Sequence, residues 1–312
     1  MERIAGYTLA EDGDVVDGAL SKRYAYDYGD YADDGKNAST MVEEILNDEE
    51  LPNLSEIIIG CWGGAWEENV QPLIDGIVES EVVKKQGKLS HIKSFFVGDM
   101  DMEDCEVSWI LQGNYSKFWQ AMPNLEKFGV RGSTDLTLGK IEHENIREFD
   151  IICGGLYTNV IESIRDAKLP ALERLTLYIG IEDYGFMGDI NDIKSLLDKS
   201  DFPNLKHLGL EDSEIQDEVA EAVFNSKYIS QVESLSLANG TLTDKGGQII
   251  LDNLKNYPNI KELDLHFNYL SDGMCKKLTK LAEECGVKID LSDLQEPEEY
   301  DGETWYYAML TE

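Results

Sequence analysis

Four segments, LPALERLTLYIG (169–180), FPNLKHLGLEDS (202–213), ISQVESLSLANG (229–240) and YPNIKELDLHFN (257–268), align without gaps. Each carries apolar residues at three positions, spaced three and then two apart: Leu172/Leu175/Leu177, Leu205/Leu208/Leu210, Val232/Leu235/Leu237 and Ile260/Leu263/Leu265. The last two members of each triplet are separated by one residue, so they share one face of a short strand. The first member then lies on the turn that enters the strand.

The same triplet runs back toward the N-terminus as Leu54/Ile57/Ile59, Ile92/Phe95/Val97, Leu125/Phe128/Val130 and Ile146/Phe149/Ile151, and a degenerate ninth copy keeps Ile289 and Leu291. Between late copies lie stretches with a 3.6-residue apolar period, at 215–226, 243–257 and 271–285, with Thr243 and Ser271 placed as N-caps. The spacing from Leu208 to Leu235 is 27 residues, and from Leu235 to Leu263 it is 28. Strand followed by helix at that period is the pattern of a leucine-rich repeat. One such unit cannot bury its own apolar face. The copies must stack into an α/β solenoid of about eight to nine repeats, with a parallel inner sheet and outer helices.

The expected organisation is an N-terminal cap over 1–50, a repeat domain over 51–294 and an acidic, aromatic tail over 295–312. Within the cap, 20–28 alternates like a strand and 39–46 has a helical pattern. The tail holds Trp305, Tyr306 and Tyr307, which either fold back on the last repeat or form a partner-binding peptide.

The run LSLANGTLTDKG (235–246), followed by LDLHFNYLSD (263–272), resembles the ribonuclease-inhibitor type of leucine-rich repeat. Asn268 occupies that type's usual asparagine position, where Gly180, Ser213 and Gly240 depart from it. The segments GCWG (60–63), GDMDMEDCEVSWI (98–110), GVRG (129–132), GGL (154–156) and DSEIQDE (212–218) are similar to a family of bacterial leucine-rich-repeat proteins of uncharacterised function. This resemblance implies a bacterial cytoplasmic protein and supplies no activity.

Composition narrows the function. There are 62 acidic against 27 basic residues, a net charge of −35. Such a surface repels phosphate backbones and anionic membranes and favours a basic partner, so a protein partner is expected, with no nucleic acid and no membrane. Cys61, Cys105, Cys153, Cys275 and Cys285 lack C-x-x-C spacing and read as free thiols in a reducing compartment, the cytoplasm. The opening segment lacks a signal-peptide core, and no apolar run has the length of a membrane span.

Catalytic and cofactor motifs are absent from the sequence. Gly139-Lys140-Ile141 lacks the spaced glycine and the hydroxyl of a phosphate loop. His143-Glu144 is not followed by the second histidine of H-E-x-x-H, and no G-x-S-x-G elbow occurs. The four histidines read as scattered surface residues. Asp12, Asp14 and Asp17 miss the spacing of a calcium loop. No cofactor, metal or enzymatic activity is therefore expected. The expected function is a protein–protein interaction module, specifically an inhibitor- or immunity-type binder of a basic partner. The alternative is a metal-dependent small-molecule binder or enzyme using the loop edge.

Two surfaces are candidates for the contact. Residues alternating with the core positions should face the inner, concave side of the sheet: Glu56, Phe96, Lys127, Glu148, Asp150 and Arg174 in the earlier strands, and His207, Glu211, Glu262, Asp264 and His266 in the later ones. The loops leaving the early strands are rich in glycine, aromatics and acids, and should line one edge. There the anchors are Trp66, Tyr157, Tyr178 and Tyr184, with Asp99, Asp101 and Glu103 as an acidic loop and Arg131 as a clamp for an acidic group. Glycine shaping the turns, and Trp62, Trp66 and Trp109 plugging wide repeats, is the competing structural explanation.

Overall fold

In the computed structural model the apolar triplets stand in register. The structure describes residues 20–311 throughout and, before them, only the backbone of short strands at Arg3–Ile4 (β1), Tyr7–Thr8 (β2), Val15–Val16 (β3) and the start of Ala19–Tyr26 (β4). Asp12, Asp14 and Asp17 lie outside the described residues. The chain folds as two units, the first comprising Met1–Ile152 with Ala167–Leu172 and the second Cys153–Asp166 with Glu173–Thr311.

In the first unit β4 pairs antiparallel with β3 and parallel with Glu56–Trp62 (β5). Parallel pairing continues through Ser94–Val97 (β6), Lys127–Arg131 (β7) and Glu148–Ile152 (β8). Register brings Ile57, Phe95, Phe128 and Phe149 into one row, and Ile59, Val97, Val130 and Ile151 into the next. The helices here are Tyr28–Ala32 (α1), Ala38–Asn47 (α2), Gln71–Val78 (α3) and the single turn Phe118–Ala121 (α4). Where helix is short, aromatic volume fills the layer. Tyr115, Phe118 and Trp119 pack on Phe128 with ring centroids 5.4, 5.7 and 4.9 Å away, and Trp119 also reaches Phe149 at 6.2 Å.

The second unit is more regular. Thr158–Arg165 (α5) precedes Arg174–Gly180 (β9), Ile190–Lys199 (α6), His207–Ser213 (β10), Gln216–Phe224 (α7), Ser234–Ser236 (β11), Asp244–Asn253 (α8), Glu262–Asp264 (β12), Asp272–Cys285 (α9) and Lys288–Asp290 (β13). All five strands run parallel, and Leu175, Leu208, Leu235, Leu263 and Ile289 form one core row. Thr243 and Ser271 cap α8 and α9 through their side-chain oxygens, as their spacing predicts. Each cap is tied to the preceding repeat, because the Thr243 hydroxyl donates to Asp217 at 2.7 Å and the Ser271 hydroxyl to Asp244 at 2.7 Å. A carboxylate at a helix N-terminus also complements the helix dipole.

Asn268 is fully buried and works as an internal staple: its amide donates to Leu237 O and Leu265 O at 2.9 and 3.1 Å, and its Oδ1 accepts from Leu242 N at 2.9 Å. In the β10 repeat, where Ser213 stands at that position, buried Gln216 takes over. It donates to Leu210 O at 2.7 Å and accepts from Ser213 N at 3.1 Å. Parallel strands stacked beside a helix layer in both units are the architecture of a leucine-rich-repeat solenoid. Among the described residues no helix is long and apolar enough to cross a membrane.

Candidate functional site

On the helix-free face of β9–β13 the alternating side chains converge on a cleft of about 240 Å³. Arg174, His207, Glu211, Ser234, Ser236, Glu262, Asp264, Lys288 and Asp290 line it. Five of the residues expected on this face, Arg174, His207, Glu211, Glu262 and Asp264, are thereby brought together. Lys288 and Asp290 were not singled out in the sequence, because they sit on the degenerate last strand.

Electrostatics within the cleft are uneven. Burial raises the Glu211 carboxyl above its ordinary range, and Asp264 raises it further, while Ser236, Arg174 and His266 act the other way. Glu211 also accepts from Asn239 Nδ2 at 3.1 Å. Burial, then Arg174, holds His207 down at about 3, so its ring is neutral at physiological pH. Its Nδ1 meets Ser234 Oγ at 2.9 Å, and its Nε2 is buried with no hydrogen-bond partner. His266 behaves oppositely: its Nδ1 donates to Asp264 Oδ1 at 2.8 Å, and this bond raises its pKa.

On the helix-free face of the first unit, Lys127 and Glu148 pair at 3.1 Å. Glu56 is buried between the Ser21 hydroxyl and that of Ser94, the latter at 2.7 Å. Phe96 and Asp150 are likewise buried. These three positions present almost no surface, a feature the strand pattern cannot reveal because it does not show what lies over a strand.

The loop-edge residues fall into two groups. In the first unit Trp66 lies 6.5 Å from the Tyr28 ring and 6.1 Å from Tyr31, both on or beside α1. Trp62 is fully buried and donates to Glu68 O at 2.8 Å, whereas Trp109 is 59% exposed. Asp99 is buried against Arg23, whose Nε stands 2.6 Å from Oδ2 and whose Nη2 donates to Asp99 O at 2.7 Å. Asp101 and Glu103 are exposed, and Asp101 accepts from the backbone amides of Glu103 and Asp104. Arg131 donates to Met100 O at 2.5 Å. A guanidinium that meets these acids is that of Arg23 on β4, which the sequence pattern does not single out because it lies upstream of the first triplet.

In the second unit the edge is crossed by the chain itself. Glu298–Tyr300 (β14) and Glu303–Trp305 (β15) form an antiparallel hairpin turning at Asp301 and Gly302, both with positive φ. Beyond it, Tyr307 N is held by the Tyr269 hydroxyl at 2.9 Å, Met309 N donates to Asn239 O at 2.8 Å, and Leu310 N donates to Asp212 Oδ1 at 2.8 Å. A Cβ on Gly154 would stand 2.9 Å from Thr311 O, so a side chain there would push against this strap. Gly180, at φ +74°, lets its backbone cross Gly154, 2.0 Å from where its Cβ would lie. Tyr157 and Tyr184 remain half-buried, and Tyr178 is buried with its hydroxyl accepting from Asn239 at 3.1 Å.

One further placement corrects a sequence-based expectation. His143 is not a surface residue: its Nε2 meets Met122 O at 3.0 Å, and its Nδ1 accepts from the amides of Asn145 and Ile146, so it organises a buried turn. Trp305, Tyr306 and Tyr307 remain substantially exposed although the backbone around them is tied down. All five cysteines are free. Among the described residues no group of three or more His, Cys, Asp or Glu is arranged to hold a metal ion.

No protein-family model and no curated protein matches the chain. Among solved structures it is similar to a Bacteroides fragilis protein determined as a structural-genomics target, with 41% identity over 88% of this chain and 75% of that one, at a TM-score of 0.80. The chain belongs to the same family as that protein. Two remote likenesses are the TLR13–ssRNA13 complex (14% identity, 85% of this chain and 32% of that one, TM-score 0.40) and an internalin of Listeria monocytogenes (9% identity, 84% and 91%, TM-score 0.31). At those TM-scores neither bears on function.

Proposed function

We propose that the chain is a non-enzymatic protein-interaction module that binds a basic protein partner on the helix-free face of its second unit. One observation carries this: the cleft on that face is lined by Glu211, Glu262, Asp264 and Asp290 against Arg174 and Lys288, within a chain of net charge −35. An acidic surface speeds the approach of a basic partner, and a partly buried cleft gives it a place to anchor. Nucleic acid and anionic membrane are poor partners for the same charge. The narrower form is an inhibitor- or immunity-type binder of a basic enzyme. The ribonuclease-inhibitor-like repeat signature around Asn268 supports it by analogy. Five free thiols and the relationship to a Bacteroides protein support a bacterial cytoplasmic setting. In the same reading, residues 1–50 cap a repeat domain over 51–294, and 295–312 form a tail.

Photo-crosslinking in the native host tests the proposal. A crosslinking amino acid at position 262 should capture a protein of basic isoelectric point that the same group at 221, on α7, does not. Capture of the same proteins from both positions, or of acidic ones only, overturns it.

A further inference from the structure

We infer that one face of the β14–β15 hairpin docks an extended basic segment of a partner protein, with Tyr300 and Trp305 each receiving an arginine or lysine side chain. In an antiparallel pair, residues directly opposite share a face, as do alternate residues of one strand. Glu298 stands opposite Trp305 and Tyr300 opposite Glu303, so these four side chains lie on one face. All four are exposed, Tyr300 at 77% and Trp305 at 46%. The two rings are diagonal neighbours, roughly 7 Å apart by strand geometry, and each has a carboxylate directly across the hairpin.

The base of the hairpin is tied down at both ends. Gln295 N donates to Asn268 O at 2.9 Å. At the other end the Tyr269 hydroxyl accepts from Tyr307 N at 2.9 Å and donates to Tyr307 O at 3.0 Å. The two anchors are therefore consecutive residues between β12 and α9. Tyr306 packs edge-on against the Tyr269 ring at 5.0 Å, and Ala308 is buried. Aromatic rings exposed on a backbone that is already ordered lose little freedom when a partner covers them, which is the condition of an effective anchor.

Charge selects the occupant. Residues 295–311 hold five acids and no Lys, Arg or His. An apolar partner would bury Glu298 and Glu303 without a counter-charge, at a heavy desolvation cost. A second copy of a chain of net charge −35 would bring like charges together. A guanidinium or ammonium placed over either ring finds a carboxylate across the hairpin, so cation–π attraction and charge pairing act on the same group. Alternate residues of an extended segment project to one side about 7 Å apart, which matches the diagonal of the two rings. That the segment belongs to a protein partner rests on the proposed function; the hairpin shares no residue with the cleft.

The test uses the full chain and the peptide acetyl-Arg-Ser-Arg-Ser-Arg-amide, with its citrulline counterpart as a neutral isosteric control, followed by calorimetry and by the indole N–H resonance of Trp305. Saturable binding is expected, preferred over the citrulline peptide by at least about tenfold, with the Trp305 resonance shifting to saturation. Trp305→Ala and Tyr300→Ala should each weaken binding at least about fivefold. Trp305→Phe should stay within about threefold of wild type, and Glu221→Gln should match it. Equal affinity for the two peptides, or no saturation, overturns the surface. So does arginine-peptide binding that Trp305→Ala and Tyr300→Ala leave unchanged, because general attraction to an acidic chain would then explain it. If circular dichroism shows either alanine variant unfolded, the wild-type Trp305 resonance decides: no shift at saturation overturns the surface. Peptide binding at the hairpin without capture from position 262 leaves this surface standing and removes the cleft reading. The reverse result removes the hairpin surface alone.

Discussion

Asp212 Oδ1 accepts the main-chain N–H of Leu310 at 2.8 Å, across 98 residues of sequence. Asp212 is completely buried and adopts φ +57°, the conformation that Asn239 and Phe267 repeat at the same position in the next two repeats. Among residues other than glycine, Asn and Asp adopt it most readily. The end of β10 is thereby shaped to hold the strap that crosses the loop edge.

Burial pushes the Asp212 carboxyl well above the ordinary aspartate range. The native state then holds its proton more tightly than the unfolded chain does, so this residue's contribution is largest below the unfolded value near ~3.9 and is lost as pH rises toward the folded value. Asparagine keeps an acceptor and tolerates the left-handed backbone while removing the titration. The thermal midpoint of Asp212→Asn should fall less between pH 4 and pH 8 than that of wild type. Equally steep falls in the two proteins would show that Asp212 does not titrate in this way.

His207 and His266 should separate in an NMR titration. His266, raised by the hydrogen bond it donates to Asp264, should change its ring shifts with a midpoint above ~6.5, and Asp264→Asn should lower that midpoint. Its stabilising contribution is complete below ~6.5 and disappears as pH rises through the folded value. His207, held down at about 3, should show no transition between pH 5 and 8. A His207 midpoint near 6.5 would contradict its burial beside Arg174.

Arg23→Ala should destabilise the first unit by about 3 kcal/mol, because it leaves the buried Asp99 carboxylate without the guanidinium that holds it. Denaturant unfolding followed by tryptophan fluorescence measures this. A cost under ~1 kcal/mol, ordinary for a surface ion pair, would mean that water replaces the guanidinium.

Asn268→Ala should cost on the order of 3 kcal/mol, since three buried backbone groups lose their partner together. Leu235→Ala, in the centre of the second unit's core row, should cost roughly 2–5 kcal/mol as a cavity. Glu221→Gln on α7 should stay within ~0.5 kcal/mol. Urea titrations of the three variants establish the order. An Asn268→Ala protein as stable as Glu221→Gln would mean that these groups find other partners.

The amino-acid sequence by itself determined the repeating architecture. Leu175, Leu208, Leu235 and Leu263 recur because every repeat must bury the same strand position, and a local period of two inside a longer period survives in the text. The caps Thr243 and Ser271 were legible for the same reason: a cap acts on its own helix. What each exposed-looking position does was decided only by tertiary structure. Glu56, Phe96 and Asp150 alternate with core residues as Glu262 does, yet they are buried and Glu262 is exposed. Arg23 meets Asp99 across 76 residues, and Leu310 meets Asp212 across 98. Such partners leave no mark on local periodicity, because a hydrogen bond or ion pair depends on proximity in space, and only the folded chain brings these atoms together.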